Sequence, residues 1–319
     1  MELFLQTMKL WQKNTPANDK ITDFTVGKDR DFDLHLAAYD CQASIAHTQM
    51  LGKIGILTEQ EAQAIAEVLE ELKSQAENRK FVIEESFEDI HSKIEFTLTE
   101  KLGDLGKKIH TARSRNDQVL VAMHLYLKEE IAVIKRMTYD LFKLLIKLSK
   151  QHKDKLLPGY THFQVAMPSS FGLWFSAYAE SLIDDVTLLN AARKIVDQNP
   201  LGSAAGFGSS FPIDRKATTE SMNFRDLKYN VIAAQMSRGK AEKTTAFAIA
   251  SLSANLSKMA NDICLYMSQE HNFISFPEDL TTGSSIMPHK KNPDVFELIR
   301  GKSNMLQGCL LYTSDAADE

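Results

Sequence analysis

Cysteine is scarce: Cys41, Cys264 and Cys309 stand far apart, odd in number and without a CxxC pair. That excludes a disulfide framework and a zinc knuckle, and it makes a reducing, cytoplasmic compartment the expectation. Glycine (14) and proline (8) are roughly 7% of the 319 residues, against a typical ~12%. A turn-rich all-β fold needs more of both, so long helices are favoured. No apolar run approaches the ~18–20 residues that span a bilayer. The start, MELFLQTMKLW, holds only a three-residue apolar stretch and no cleavage pattern, so no signal peptide is expected. A net charge of −5 is too mild, and of the wrong sign, for a dedicated nucleic-acid binder. The nine histidines form no HExxH or HxH pair, so no metal site is expected. There is no GxSxG elbow and no Walker loop. LGSAAGFGS lacks the full GxGxxG pattern and follows a helix rather than a strand, which disfavours a nucleotide cofactor.

What is present is helical periodicity. Residues 8–30 read as an irregular arm broken by Pro16, Asn18, Asp19 and Gly27. Helices are expected over Asp33 to Leu51, Thr58 to Ser74 and Glu88 to Lys101, with Thr58 and Glu61 forming a capping box. After Asn116, apolar side chains recur at Leu120, Leu127, Ile131, Ile134, Leu141, Leu145 and Leu148, and a second row runs through Val119, Met123, Tyr126, Val133, Met137 and Leu144. Apolar residues on two faces predict a helix buried among several neighbours. From Asn116 to His152 it would run on the order of 50–55 Å at ~1.5 Å per residue. The spacing returns from Phe171 to Val196 and from Ile249 to Tyr266. Three such stripes predict an all-α fold: a long central helical bundle over 113–311 and a smaller N-terminal helical domain over 1–112. The Met and aromatic positions in the stripes are core. Between the stripes lie the loops LPGYTHFQ, NPLGSAAGFGSSFP and FPEDLTTGSSIMPHKKNP.

The last of these carries the sharpest chemistry. In TTGSSIMPHKKNP, Gly283 frees the backbone beside two serines, and Pro288 and Pro293 brace His289, Lys290, Lys291 and Asn292. Composition alone would allow a solvated surface loop. Hydroxyls, cations and an amide within nine residues, however, are what proton removal beside a carboxylate requires, because a dianionic intermediate must meet fixed positive charge and donors.

GSSIMPHKKNP closely resembles the signature of the aspartase/fumarase superfamily, whose members release fumarate by β-elimination. TARSRNDQ (111–118) and PGYTHFQ (158–164) are similar to the corresponding regions of its argininosuccinate lyases, and DIHSKIE around His91 and ELIR after the signature agree. The resemblance runs from about Met8 to Leu310. It implies a bundle of long helices, a homotetramer with active sites shared between subunits, no cofactor, and argininosuccinate as the small-molecule substrate.

Residue by residue, the resemblance implies Ser284 as catalytic base. Lys290 and Asn292 would hold the carboxylate and its intermediate, and Thr161 and His162 would serve the leaving nitrogen. Glu297 would pair with His162. Ser114, Arg115, Asn116, His91 and, more loosely, Asp33 would line the substrate pocket. Arg115 suits a carboxylate through its bidentate fork. His35, His47, His110, His124, His152 and His271 are expected to be structural or exposed.

Sister lyases acting on adenylosuccinate, fumarate or aspartate are the enzymatic alternative, which TARSRNDQ disfavours. A non-catalytic structural protein on the same fold is the other. Three departures stand out. QKN follows Trp11 where the family has Gly-Gly-Arg-Phe, His289 replaces a glutamine, and YTSDAADE after Leu311 breaks the apolar pattern. Residues 312–319 are therefore expected to be an unrelated tail standing in for a C-terminal domain. A chain ending there is expected to lack further substrate-binding positions and to be poorly soluble and inactive.

Overall fold

The computed structural model describes residues 27–283, 285–287 and 289–312, and the expected arm and tail lie mostly outside them. In chain order the elements are α1 (Asp29–Asp33), α2 (Ala37–Lys53), α3 (Glu59–Glu77), α4 (Ile90–Leu102), α5 (Asp104–Lys107) and α6 (Arg115–Gln151). There follow β1 (Leu156–Thr161), β2 (Gln164–Ser170), α7 (Phe171–Val196), β3 (Gln198–Asn199), α8 (Arg215–Ser221), β4 (Asp226–Leu227), α9 (Val231–Gln235), α10 (Lys240–Tyr266) and α11 (Asp294–Tyr312). The all-α reading holds, with two small strand pairs added.

The chain forms two compact units. One comprises residues 1–128 and 196–238, the other 129–195 and 239–319. This differs from the expected boundary at 112/113. The reason is a shared core: Val121 and Leu125 of α6 are buried with Leu201, Met222 and Phe224 and with Ala43 and Ala46 of α2. A return segment distant in sequence thus recruits the first turns of the long helix.

In the first unit α2 packs along α3. Thr58 caps α3 as predicted: the Glu61 N–H donates to its Oγ1, and the Glu61 carboxylate accepts the Thr58 N–H. Leu51, Ile65, Leu69, Ile90, Ile94, Leu98 and Ile109 are fully buried in the main core. At ~1.5–3 kcal/mol for each such side chain, this cluster dominates the unit's stability.

In the second unit α7 and α10 are tied by polar rungs within an otherwise apolar stripe. The buried Asp185 carboxylate accepts from Ser251 Oγ (2.9 Å) and Asn255 Nδ2 (2.8 Å). Asp262 accepts from Trp174 Nε1 (2.9 Å) and Tyr178 OH (2.7 Å). Such rungs fix the axial register that apolar packing alone leaves loose. α11 lies along α10, with Ser303 Oγ donating to the Ser253 carbonyl at 3.0 Å. At Gly172 an added Cβ would sit 2.6 Å from Lys153 Cα, so only glycine lets α7 start this close to the end of α6.

The stretch expected as the loop LPGYTHFQ is instead part of an antiparallel hairpin, β1 with β2. Its register shifts between Gly159 and Tyr160, which leaves Ala166 as a bulge. Pro158 and Pro168 stand opposite each other. A two-stranded ribbon has two outer edges, where a missing N–H costs no ladder bond.

Candidate active site

In the first unit the implied residues gather around the start of α4. Asp89 caps α4, accepting the Ser92 N–H at 2.7 Å, and Asp33 accepts the Ile90 N–H at 3.1 Å. His91 follows, 3% exposed, with Nδ1 3.1 Å from Asp40 Oδ2. Arg115 reaches the same helix: Nη1 donates to Asp89 (3.2 Å) and Nη2 to Glu95 (3.3 Å), and Glu95 also pairs with His110.

The segment TARSRNDQ is anchored by Arg113, Asp117 and Gln118. Arg113 is buried and donates to Ser44 Oγ at 2.8 Å. Buried Gln118 donates to both oxygens of Asp40 at 3.1 Å. Buried Asp117 accepts three backbone N–H groups at 2.9 Å: Ser114 through Oδ1, Gly202 and Ala204 through Oδ2. With Arg113, Asp117 and Gln118 buried and Arg115 clamped by two carboxylates, Ser114 and Asn116 remain turned out, half-buried and exposed respectively. The Ser114 hydroxyl accepts the Asn116 N–H at 3.3 Å, and the Asn116 side chain is exposed. Asp40, Asp89, Glu95 and Asp117 are the positions that sequence reasoning missed. The available signal was polar spacing on α2, where Asp40, Ser44 and Thr48 follow each other at four-residue steps in an otherwise small and apolar face.

Burial pushes the Asp33 carboxyl from its usual 3.8 up to about 6, against the opposing Ile90 N–H, with the negative charges of Asp89, Asp29 and Asp40 adding to the rise. The folded state therefore binds the proton more tightly than the unfolded chain does. Its penalty is full above pH 6 and is relieved as pH falls from about 6 toward 4. Asp33→Asn should raise unfolding free energy over the parent at pH 7.5, and the gain should shrink by pH 4.5. Urea titrations at both pH values check this, and a gain independent of pH would refute the assignment.

In the second unit the hairpin and the signature loop carry the remaining residues. Thr161, His162 and Phe163 are exposed at the hairpin tip. His162 (φ +52°) and Phe163 (φ +60°) are both left-handed, the two central residues of a type I′ turn. Neither is Gly, Asn or Asp, the residues that adopt this backbone readily, so the tip stores strain of the kind found at functional positions. The signature loop is clasped at its neck by an antiparallel bridge between Thr282 and Asn292. The Asn292 N–H donates to the Thr282 carbonyl (2.8 Å), its Nδ2 to Thr282 Oγ1 (3.3 Å), and Thr282 Oγ1 donates to Asp294. Lys291 pairs with Glu278 at 3.1 Å, while Lys290 is exposed. Lys290 and Asn292 line a cavity of about 630 Å³ with His289, Cys264, Asn272 and Met287. Ser284, the base implied by the resemblance, lies outside the described residues.

Within the unit, Thr161 and His162 make no hydrogen bond or ion pair with Lys290, Asn292 or Glu297 among the described residues. Glu297 instead stands close enough to Cys264 to raise its thiol pKa, behind the larger effect of burial and the opposing charge of Arg300. Among the described residues no group of three or more His, Cys, Asp or Glu is placed to hold a metal ion, and no helix is long and apolar enough to cross a membrane.

This arrangement of long helices is one that solved lyases share. A class II fumarase from Schistosoma mansoni shares this fold at TM-score 0.79 and 18% identity, covering 93% of this chain and 72% of that one. The model of a family described as lyase matches residues 13–308, and the chain belongs to that family. It is 55% identical over 300 residues to an argininosuccinate lyase from Parabacteroides distasonis, covering 94% of this chain and 67% of that protein. It is also 42% identical over 292 residues to an argininosuccinate lyase from Thermotoga neapolitana, covering 92% and 73%. EDDS lyase solved in complex with formate has TM-score 0.80 at 25% identity, covering 93% of this chain and 59% of that one. The chain thus spans about two thirds of the first curated relative and less of that solved structure.

Proposed function

We propose that this chain is a segment of an argininosuccinate lyase, cleaving argininosuccinate to arginine and fumarate without a cofactor. The observation that carries the reading is the TARSRNDQ segment, whose buried anchors leave the Asn116 side chain exposed and the Ser114 hydroxyl half-buried beside it, accepting the Asn116 N–H at 3.3 Å. Identity of 55% to a curated argininosuccinate lyase supports it.

In this reading Ser284 removes a proton from the carbon beside the substrate carboxylate. The electron pair left behind forms the new C=C bond as the C–N bond breaks, and the departing guanidinium nitrogen takes a proton from the Thr161/His162 region. Lys290 and Asn292 stabilise charge that develops on the carboxylate, the largest usual contribution in such sites. Arg115 offers a carboxylate the donors that Asp89 and Glu95 leave free. Glu297 sets the charge of His162. That pair does not form within the unit, so it is assigned to different copies of the chain in a cytoplasmic homotetramer. Exposed apolar side chains in the second unit support self-association: Leu156, Val165 and Met167 on the hairpin, and Leu173, Ile183, Phe247 and Met305 on the helices.

The test is ultraviolet detection of fumarate from argininosuccinate by this chain extended with the C-terminal segment of a relative, with adenylosuccinate and aspartate as controls. Release from argininosuccinate alone is expected. Preference for adenylosuccinate would overturn the substrate and leave the family untouched.

A further inference from the structure

The buried carboxylate of Asp40 belongs to no role described so far, and three elements converge on it. It lies on α2 with 0% exposure. His91 of α4 meets Oδ2 at 3.1 Å, Gln118 of α6 donates to both oxygens at 3.1 Å, and Ser44 of α2 stands 3.5 Å from Oδ1. Burial raises the Asp40 pKa, and Arg113, which donates to Ser44, is the foremost positive charge opposing that rise. A carboxylate buried in this way is costly unless donors and charge surround it, as they do here.

We propose that Asp40 is a positioning residue that acts through His91. An ionised carboxylate only accepts, so the ring nitrogen facing it must carry the hydrogen. Asp40 therefore keeps a hydrogen on Nδ1 of His91 and leaves Nε2, which has no partner among the described residues, as the nitrogen that meets substrate. The same carboxylate grips Gln118, two residues beyond Asn116. One side chain thus sets both the imidazole and the helix start that presents Ser114 and Asn116. This rests on the lyase reading for the role of His91, but not for the state of its ring.

Two readouts test it. Nitrogen-15 NMR of histidine-labelled chain, with His91→Asn to assign the signal, should show His91 protonated at Nδ1 and bare at Nε2. An Nε2–H ring in the parent would overturn the proposal without any Asp40 variant. Asp40→Asn keeps shape and removes the charge, so its ring should populate both tautomers. Its kcat should fall ~10–100-fold, the loss typical when the hydrogen-bond partner of a metal-ligating imidazole is removed, with KM within about threefold of the parent. In the His91→Asn background the same change should have almost no further effect, because residues acting as a unit are non-additive. Full additivity of the two changes would overturn the proposal, since Asp40 would then act on stability or elsewhere. A parent extended with a relative's C-terminal segment that releases no fumarate yet holds His91 as Nδ1–H refutes the lyase reading and sustains the setting of the ring.

Discussion

Ser284→Ala should lower fumarate release by at least ~10²–10⁴, the usual worth of a positioned acid or base, with the Kd for argininosuccinate nearly unchanged. The hydrogen to be removed sits on a carbon beside a carboxylate, where it is only weakly acidic. A serine hydroxyl is a poor base unless nearby donors and cations stabilise its alkoxide. The loop offers such surroundings: an exposed Lys290 and a neck held by Thr282 and Asn292. Because the hydroxyl contributes little to ground-state affinity, its loss should fall on kcat rather than on binding. Stopped-flow absorbance and calorimetric binding on the same variant separate the two. Near-normal turnover would remove Ser284 from the mechanism and direct attention to Ser285 or His162.

Asp117→Ala should strongly destabilise the first unit. Three backbone N–H groups lose their acceptor together, at Ser114, Gly202 and Ala204. An unpaired buried donor costs ~1–3 kcal/mol, so a loss on the order of 3–6 kcal/mol is expected, a large share of the ~5–15 kcal/mol that holds a domain folded. Calorimetry should find Tm lower by roughly 10 °C or more. Asp117→Asn retains one acceptor oxygen and should lose less. A melting point within about 2 °C of the parent would mean that water replaces the carboxylate and that the anchor is dispensable.

The long helices were legible because their signal is local and repeated. The stripe from Phe171 to Val196 marks both ends of α7, and the stripe from Asn116 to His152 falls within one residue of α6 at each end. The hairpin was not legible, because its turn has His162 and Phe163 where the recognisable pattern has Asn-Gly, and prolines interrupt both strands. The division into units was hidden for a different reason. It depends on Leu201, Met222 and Phe224 returning to α2 and α6, contacts between segments tens of residues apart that no local period encodes. For the site, the motifs hold outward and buried residues side by side, Asn116 exposed and Asp117 buried, and nothing in their spacing tells one from the other. A carboxylate such as Asp40 is identified only once Ser44, His91 and Gln118, on three elements, are seen to converge on it.

The type I′ tip of the hairpin sets a limit on engineering this chain. Placing Asn and Gly at 162 and 163 would suit the backbone better than the native pair, whose φ values are +52° and +60°. A selection for heat resistance alone would therefore favour that exchange, and it would discard the imidazole in making it. Libraries aimed at a sturdier protein are best built with positions 161–163 held constant, and the strain at those positions treated as part of the phenotype.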